Sequence, residues 1–103
     1  MQKKEFFVVV TPLDHEVTLY KWRWTNHIVR RHPEMNGEID DVLSVLENPE
    51  FIAFNRKHST YNTVFQNIMV SYKLKDRSRG IVRTAMKIKK TYKKKLRRVQ
   101  VWP

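Results

Sequence analysis

Two apolar stretches near the N terminus predict a β-hairpin. The first, residues 5–11, is β-branched and aromatic almost throughout, as in a strand that is buried on both faces. The second, residues 16–22, alternates apolar and polar side chains and predicts a second strand. Residues 12–15 between them have the composition of a turn. We expect His15, in that turn, to be solvated.

A short helix is predicted to follow the hairpin. Thr25 or Asn26 can cap its start, and Pro33 ends it because proline lacks an N–H and restricts the residue before it. The helix is therefore about two turns long. Its side chains form two stripes, one of Trp24, Ile28 and His32 and an adjacent one of His27, Arg30 and Arg31. We expect the first stripe to pack and the second to face a ligand.

Residues 38–47 predict a second helix, which is amphipathic. Apolar side chains recur at helical spacing and acidic ones occupy the other side. Acidic residues in the first turn suit the helix dipole. The alternative, a metal site, is disfavoured because Asp40 and Asp41 are adjacent and point apart.

The second half of the chain predicts an antiparallel meander of about four strands, at residues 51–54, Thr60–Phe65, Ile68–Leu74 and 81–88. Residues 99–102 regain apolar character and are candidates for a last strand or hook. The elements together predict an α+β fold: short N-terminal helices packed on an antiparallel sheet of about four strands, preceded by a β-hairpin. At this length we expect a single domain, residues 1–103, with a basic C-terminal segment at residues 87–98.

The last predicted strand carries two polar candidates, Arg83 and Thr84. Simple alternation places Val82, Thr84, Met86 and Ile88 on one face and Ile81, Arg83, Ala85 and Lys87 on the other. Arg83 and Thr84 then share a pocket only if a β-bulge intervenes. We therefore favour Arg83 over Thr84 as a functional residue.

Composition excludes several classes of protein. The hydrophobic fraction of 41% is that of a globular protein, and no apolar run reaches the length of about 18 residues that a membrane span requires. Without an apolar export signal, we expect a cytoplasmic protein. The absence of cysteine excludes disulfides and thiolate metal sites. With two glycines, the chain has no glycine-rich nucleotide-binding loop.

The net charge of +11 is concentrated in the last third of the chain. Residues 1–72 contain eight Lys and Arg against nine acids, a net charge of −1, whereas residues 73–103 contain thirteen against Asp76 alone, a net charge of +12. Such a field attracts a polyanion such as nucleic acid. The alternative is a basic tail that serves solubility or binds an anionic membrane or an acidic partner.

The predicted first helix concentrates the side chains that metal-free RNA cleavage needs. The 2′-hydroxyl attacks its own phosphorus, so the protein supplies a base, an acid for the leaving 5′-oxygen and positive charge for the phosphorane. Histidine, with an ordinary pKa of about 6.5, can both take and give a proton. His27 is the first candidate, and His32 is second because its stripe also carries Trp24 and Ile28. The alternative is a solvated His27 and a partly buried His32.

Several short segments of the chain resemble those of a known family. They are residues 27–34 (HIVRRHPE), residues 39–43 (IDDVL) with 46–49 (LENP), a strand containing Tyr61, and residues 82–85 (VRTA). In these, over roughly residues 22–88, the chain resembles the phage-associated branch of the barnase, EndoU, colicin and RelE-like (BECR) nuclease superfamily. The resemblance implies N-terminal helices on a four-stranded antiparallel sheet and metal-independent RNA cleavage on the concave face of that sheet. By matching position it implies roles for His27, for Arg31 or His32, and for Arg83 and Thr84. The basic stretch from Lys87 onward has no counterpart in this pattern.

The leading hypothesis is a metal-independent endoribonuclease, a toxin or phage-derived effector, that needs no cofactor. Its predicted catalytic residues are His27, His32, Arg31, Arg83 and Thr84. Its predicted RNA-binding residues are Arg56, Tyr61, Lys87, Lys89, Lys90, Tyr92 and Lys93; for Tyr61 the alternative is simple packing. The resemblance permits an acidic antitoxin or immunity protein as a partner. The competing hypotheses are a non-catalytic RNA- or DNA-binding module, in which aromatic residues stack on bases, and a ribosome-associated protein anchored by the basic segment.

Overall fold

One mixed β-sheet organises the chain in the computed structural model, which describes residues 5–103. The strands in this range are β1 (Phe6–Val10), β2 (Glu16–Tyr20), β3 (Phe51–Asn55), β4 (Thr60–Phe65), β5 (Ile68–Leu74), β6 (Arg79–Lys87) and β7 (Gln100–Trp102). Their order across the sheet is β1-β2-β6-β5-β4-β3-β7. Of the predicted domain, residues 1–4 lie outside the described residues.

The α+β class is confirmed, but the predicted sheet of about four antiparallel strands is wrong in detail. The described sheet has seven strands, because the hairpin β1-β2 joins one edge and β7 joins the other. The sheet is mixed, since β2 pairs in parallel with β6 through Glu16, Val17 and Thr18. The remaining neighbours are antiparallel.

The helical elements are α1 (Lys21–Arg23), a π-helix (Trp24–Ile28), α2 (Val29–Arg31), a 3₁₀-helix (Pro33–Met35), α3 (Ile39–Glu47) and α4 (Lys90–Arg97). The first three are continuous, so the helix begins directly after β2 and not at Thr25 or Asn26 as predicted. The N–H of Val29 bonds to the carbonyl of Trp24, five residues back, which defines the wide π turn. Within residues 5–103, no helix is long and apolar enough to span a membrane.

The main core lies between one face of the sheet and the helices of the first half of the chain. The predicted packing stripe of the first helix is confirmed, because Trp24 and Ile28 are buried and His32 is half-buried. The adjacent stripe, His27, Arg30 and Arg31, is exposed. The predicted amphipathic helix at 38–47 is confirmed as α3, which buries Val42, Val45 and Leu46 in the same core.

A second, smaller core lies on the opposite face of the sheet, under α4. Leu96 of this helix packs against Phe51, Ala53, Val64 and Met69 of the strands below. The guanidinium carbon of Arg97 lies 4.3 Å from the centroid of the Phe51 ring. The basic C-terminal segment is therefore largely a helix attached to the sheet, and residues 100–102 form the last strand β7.

The predicted burial of the first strand on both faces is wrong. Strand β1 is an edge of the sheet, with β2 as its neighbour in the sheet order. Its outward side chains, Phe6, Val8 and Val10, are 48%, 47% and 50% exposed. Only the alternate residues face the main core, where Val9 is buried.

A β-bulge in β6 overturns the predicted faces of that strand. Ser71 of β5 pairs with Thr84 and Tyr72 pairs with Val82, which leaves Arg83 as the extra residue. Val82 and Ala85, three positions apart, consequently both enter the main core. Arg83 and Thr84 lie between them and occupy the opposite face together.

Candidate nucleic-acid interface

A cleft of about 290 Å³ opens where the end of β2 and the start of α1 lie beside β5 and β6. We call it the cationic cleft. Its lining residues are Tyr20, Trp22, Arg23, Lys73, Leu74, Lys75, Ile81 and Arg83. Four of these eight side chains are cationic and none is acidic. A cleft lined by charges of one sign concentrates ligands of the opposite sign, so this cleft suits an anion such as a phosphodiester.

Arg23 and Arg83 bring two positive charges together in the cleft. Arg23 Nη1 donates a hydrogen bond to the main-chain oxygen of Arg83 at 3.4 Å. Arg23 Nε is buried and has no hydrogen-bond partner among the described residues. Burial, followed by repulsion from Arg83, lowers the pKa of Arg23. An anion bound between the two guanidinium groups would offset this repulsion. It would also stabilise the positive charge of Arg23, which burial disfavours.

His27 contacts the cleft through Trp22. The two rings meet edge to face with centroids 5.7 Å apart, and the guanidinium carbon of Arg23 lies 5.4 Å from the Trp22 centroid. Trp22 is 52% exposed and His27 is also exposed, so both side chains are accessible to a ligand. His27 lies within the π-helix, a distortion that is frequent at functional sites. The geometry thus places a titratable imidazole beside a cationic, aromatic cleft.

Aromatic rings extend the wall of the cleft towards β1. The centroids of Tyr20 and Trp22 lie 6.5 Å apart, and those of Phe6 and Tyr20 lie 6.2 Å apart. Exposed aromatic rings next to cations are the combination that binds single-stranded nucleic acid, because bases stack on the rings while the cations contact phosphate.

A polar row crosses the sheet from the edge of the cleft. Thr84, beside Arg83 in the bulge, pairs with Ser71, and Ser71 pairs with Asn62. The Ser71 hydroxyl donates a hydrogen bond to Asn62 Oδ1. The bulge therefore brings Arg83 and Thr84 to one surface, which simple alternation did not allow.

The other predicted catalytic residues lie outside the lining of the cleft. His32 is half-buried and its Nδ1 is 3.7 Å from a carboxylate oxygen of Glu34. Arg31 is exposed at the end of α2. Of the five candidates, the structure associates Arg83 with the cleft directly and His27 through Trp22.

The predicted RNA-binding residues are dispersed. Tyr61 stacks on Tyr72 with centroids 5.3 Å apart and packs against the main core, as its alternative interpretation stated. Lys87 and Lys93 form ion pairs with Glu38 and Glu50 at 3.1 and 3.0 Å. The remaining four lie at other surfaces: Lys89 and Lys90 line a pocket beside α4, Tyr92 is 43% exposed, and Arg56 lines a cavity under α4.

The prediction that His15 is solvated is wrong. His15 is half-buried, its Nδ1 lies 2.8 Å from the hydroxyl oxygen of Tyr72, and its ring centroid lies 4.9 Å from that of Tyr61. Burial lowers the pKa of His15, and the nearby Asp14 opposes that shift. Burial also raises the pKa of Tyr72 to about 12. His15 is more than 40 residues from both tyrosines in the sequence, so no local sequence pattern predicts these contacts.

Within residues 5–103, no group of three or more His, Asp or Glu side chains is close enough to hold a metal ion. Comparisons of the chain with protein-family models, with curated proteins and with solved structures find no match.

Proposed function

We propose that this protein is a metal-independent endoribonuclease, toxin or phage-derived, whose reaction centre is the cationic cleft with the adjacent His27. The observation that carries the proposal is the contact series from the His27 imidazole through Trp22 to Arg23 and Arg83. It combines an accessible acid or base, a stacking ring and two guanidinium groups. The resemblance of residues 27–34 and 82–85 to BECR nucleases supports the same assignment.

In the proposed reaction, the RNA 2′-hydroxyl attacks the adjacent phosphorus and the bond to the 5′-oxygen breaks, which leaves a 2′,3′-cyclic phosphate and a 5′-hydroxyl. His27 carries one of the two proton transfers, as base for the 2′-hydroxyl or as acid for the leaving 5′-oxygen, and water carries the other. The histidine contributes about 10² to 10⁴ in rate. Arg23 and Arg83 stabilise the negative charge that develops on the phosphorane oxygens. Trp22 holds a neighbouring base by stacking.

We propose that a cognate inhibitor would act at the same cleft. Lys73 and Lys75 are exposed and have no ion-pair partner among the described residues. A cognate antitoxin or immunity protein that inserts acidic side chains at these lysines would occupy the phosphate positions and block RNA.

A non-catalytic RNA- or DNA-binding module is the second candidate, and one observation favours it. Four exposed cations in and beside α4 form no ion pair among the described residues. They are Lys90, Lys94, Lys95 and Arg98. Such free cations bind phosphate without a need for His27.

RNA cleavage by the purified protein in EDTA separates the two functions. We expect His27→Ala to lower the cleavage rate by at least about 100-fold while RNA affinity is retained. The matched control is His58→Ala, because His58 is an exposed histidine in the loop between β3 and β4, and it should leave the rate unchanged. Binding without cleavage by the parent protein would contradict the nuclease and support the module.

A further inference from the structure

A second cavity, of about 550 Å³, lies on the α4 side of the sheet between β3, β4, α4 and β7. Its volume is within the range of small-molecule sites. Leu96, Val99 and Val101 form an apolar wall, and Asn62 is one of its polar lining residues. The cavity thus offers apolar surface for a flat ring together with an amide for its edge.

The Asn62 side chain is held in a fixed orientation in the wall of this cavity. It is only 6% exposed, and its Oδ1 already accepts a hydrogen bond from the Ser71 hydroxyl. Its Nδ2 has no hydrogen-bond partner among the described residues. This nitrogen is not fully enclosed, so a ligand can reach it. The amide is therefore fixed in orientation by Ser71 and keeps an N–H₂ donor for a ligand.

Positive charge adjoins the apolar wall. Arg56 lines the cavity, and Arg98 immediately precedes Val99 in the chain. Both arginines are exposed and have no acidic partner among the described residues. A ligand that combines a flat ring, hydrogen-bond acceptors on the ring edge and an attached anion matches these groups together, and that combination is a nucleotide.

The polar row across the sheet runs from the cavity towards the cationic cleft. Asn62 lies two strands from Thr84, about 10 Å at the usual strand spacing, and Thr84 adjoins Arg83 of the cleft. We infer that the cavity under α4 is a base-binding subsite, which takes one unstacked nucleobase of a single-stranded RNA whose backbone crosses the sheet to the cleft. The inference rests on the proposed function, because it names the form of RNA that the same surface would bind.

Nuclear magnetic resonance of the isotope-labelled full chain tests this subsite without any cleavage. The four nucleoside 5′-monophosphates are titrated separately, and ribose 5-phosphate serves as the ligand without a base. We expect at least one nucleotide to shift the Asn62 side-chain amide and the backbone amides of Leu96 and Val101 in a saturable manner, with ribose 5-phosphate much weaker. Equal effects of nucleotide and ribose 5-phosphate, or no shift at these residues, would overturn the inference.

Two substitutions at exposed valines provide a matched pair. Val101→Trp fills the cavity and should weaken nucleotide binding by at least about tenfold. Val10→Trp on β1 should leave binding unchanged. The two valines are a matched pair because Val101 is 48% exposed and Val10 is 50% exposed. Asn62→Asp keeps the acceptor for Ser71 but removes the donor, and it should also weaken binding. Equal affinities in Val101→Trp and Val10→Trp would show that the nucleotide binds elsewhere.

The subsite and the nuclease fail separately. Nucleotide binding at Asn62 with no RNA cleavage by the parent would retain the subsite and refute the nuclease. RNA cleavage with no nucleotide-dependent shift at Asn62 would retain the nuclease and refute the subsite.

Discussion

His15 Nδ1 lies 2.8 Å from the hydroxyl oxygen of Tyr72, a residue 57 positions later in the chain. Tyr72 is fully buried in β5, and the Thr11 hydroxyl lies 3.4 Å from the same oxygen. The contact attaches the turn between β1 and β2 to the middle of the sheet. Because β2 leads directly into Trp22 and Arg23, this attachment helps to set the wall of the cationic cleft relative to β6.

Tyr72→Phe should destabilise the fold by about 1 kcal/mol, because it removes the partner of the half-buried His15 imidazole and one of the two contacts of the buried Thr11 hydroxyl. Urea-induced unfolding measures the loss. Tyr20→Phe is the control, since the Tyr20 hydroxyl has no hydrogen bond among the described residues. Equal effects of the two substitutions would mean that the buried contact contributes nothing specific.

Stability should fall as the pH drops from 7 towards 5, and His15 should account for part of that fall. Burial holds the pKa of His15 in the fold below its ordinary value of 6.5. The unfolded chain therefore binds a proton at a higher pH than the folded chain does, so acid favours unfolding until the pH passes below the lowered pKa. Unfolding free energies between about pH 5 and pH 7 should show a weaker pH dependence for His15→Gln, while Tyr72→Phe retains it. The same slope in His15→Gln and parent would contradict this assignment.

The sequence predicts the parts of this fold that local periodicity determines. The helix α3 and the strands β4 and β5 were predicted because their apolar spacing is regular and turn residues such as Gln66 and Asn67 separate them. The bulge at Arg83 was not predictable, since it depends on the register with β5. The role of His15 was equally hidden, because its partner is brought to it by tertiary packing.

The candidate site was predicted only in part, for the same reason. The cluster of tryptophan, histidine and arginine drew attention to His27 from sequence alone. Arg23, Lys73 and Lys75 were missed as members of a site, because the cleft joins the start of a helix to strands about 50 residues away. The clustering of Lys73 and Lys75 beside the charged turn of 76–80 was the available signal.

The attachment of α4 should depend on Glu50. Its carboxylate accepts hydrogen bonds from Lys93 Nζ at 3.0 Å and from Arg97 Nη2 at 3.3 Å. A hydrogen bond from the Gln66 main chain, together with these cations, lowers the pKa of Glu50. We expect Glu50→Gln to cost up to about 1 kcal/mol and to accelerate amide hydrogen exchange in α4 but not in β5. Glu47→Gln, an exposed acid on α3, is the control, and unchanged exchange in α4 would contradict the role of Glu50.

The lysines of the cationic cleft should account for part of the salt dependence of RNA binding. Each phosphate contact on a single strand contributes about 0.7 to the slope of log Kobs against log salt concentration. Lys73→Ala and Lys75→Ala should therefore each make that slope less steep by about 0.7. Lys87→Ala should change it less, because Glu38 already neutralises Lys87. An unaltered slope in both cleft variants would place the RNA on another surface.

The chemical identity of the product ends shows whether this protein cleaves RNA by transesterification. RNA incubated with the parent protein in EDTA should yield fragments that carry a 2′,3′-cyclic phosphate and a 5′-hydroxyl, identified by mass spectrometry. RNA with methylated 2′-hydroxyls should remain intact, because the attacking nucleophile is blocked. Fragments with a 3′-hydroxyl and a 5′-phosphate, or cleavage of the methylated RNA, would contradict transesterification at this cleft.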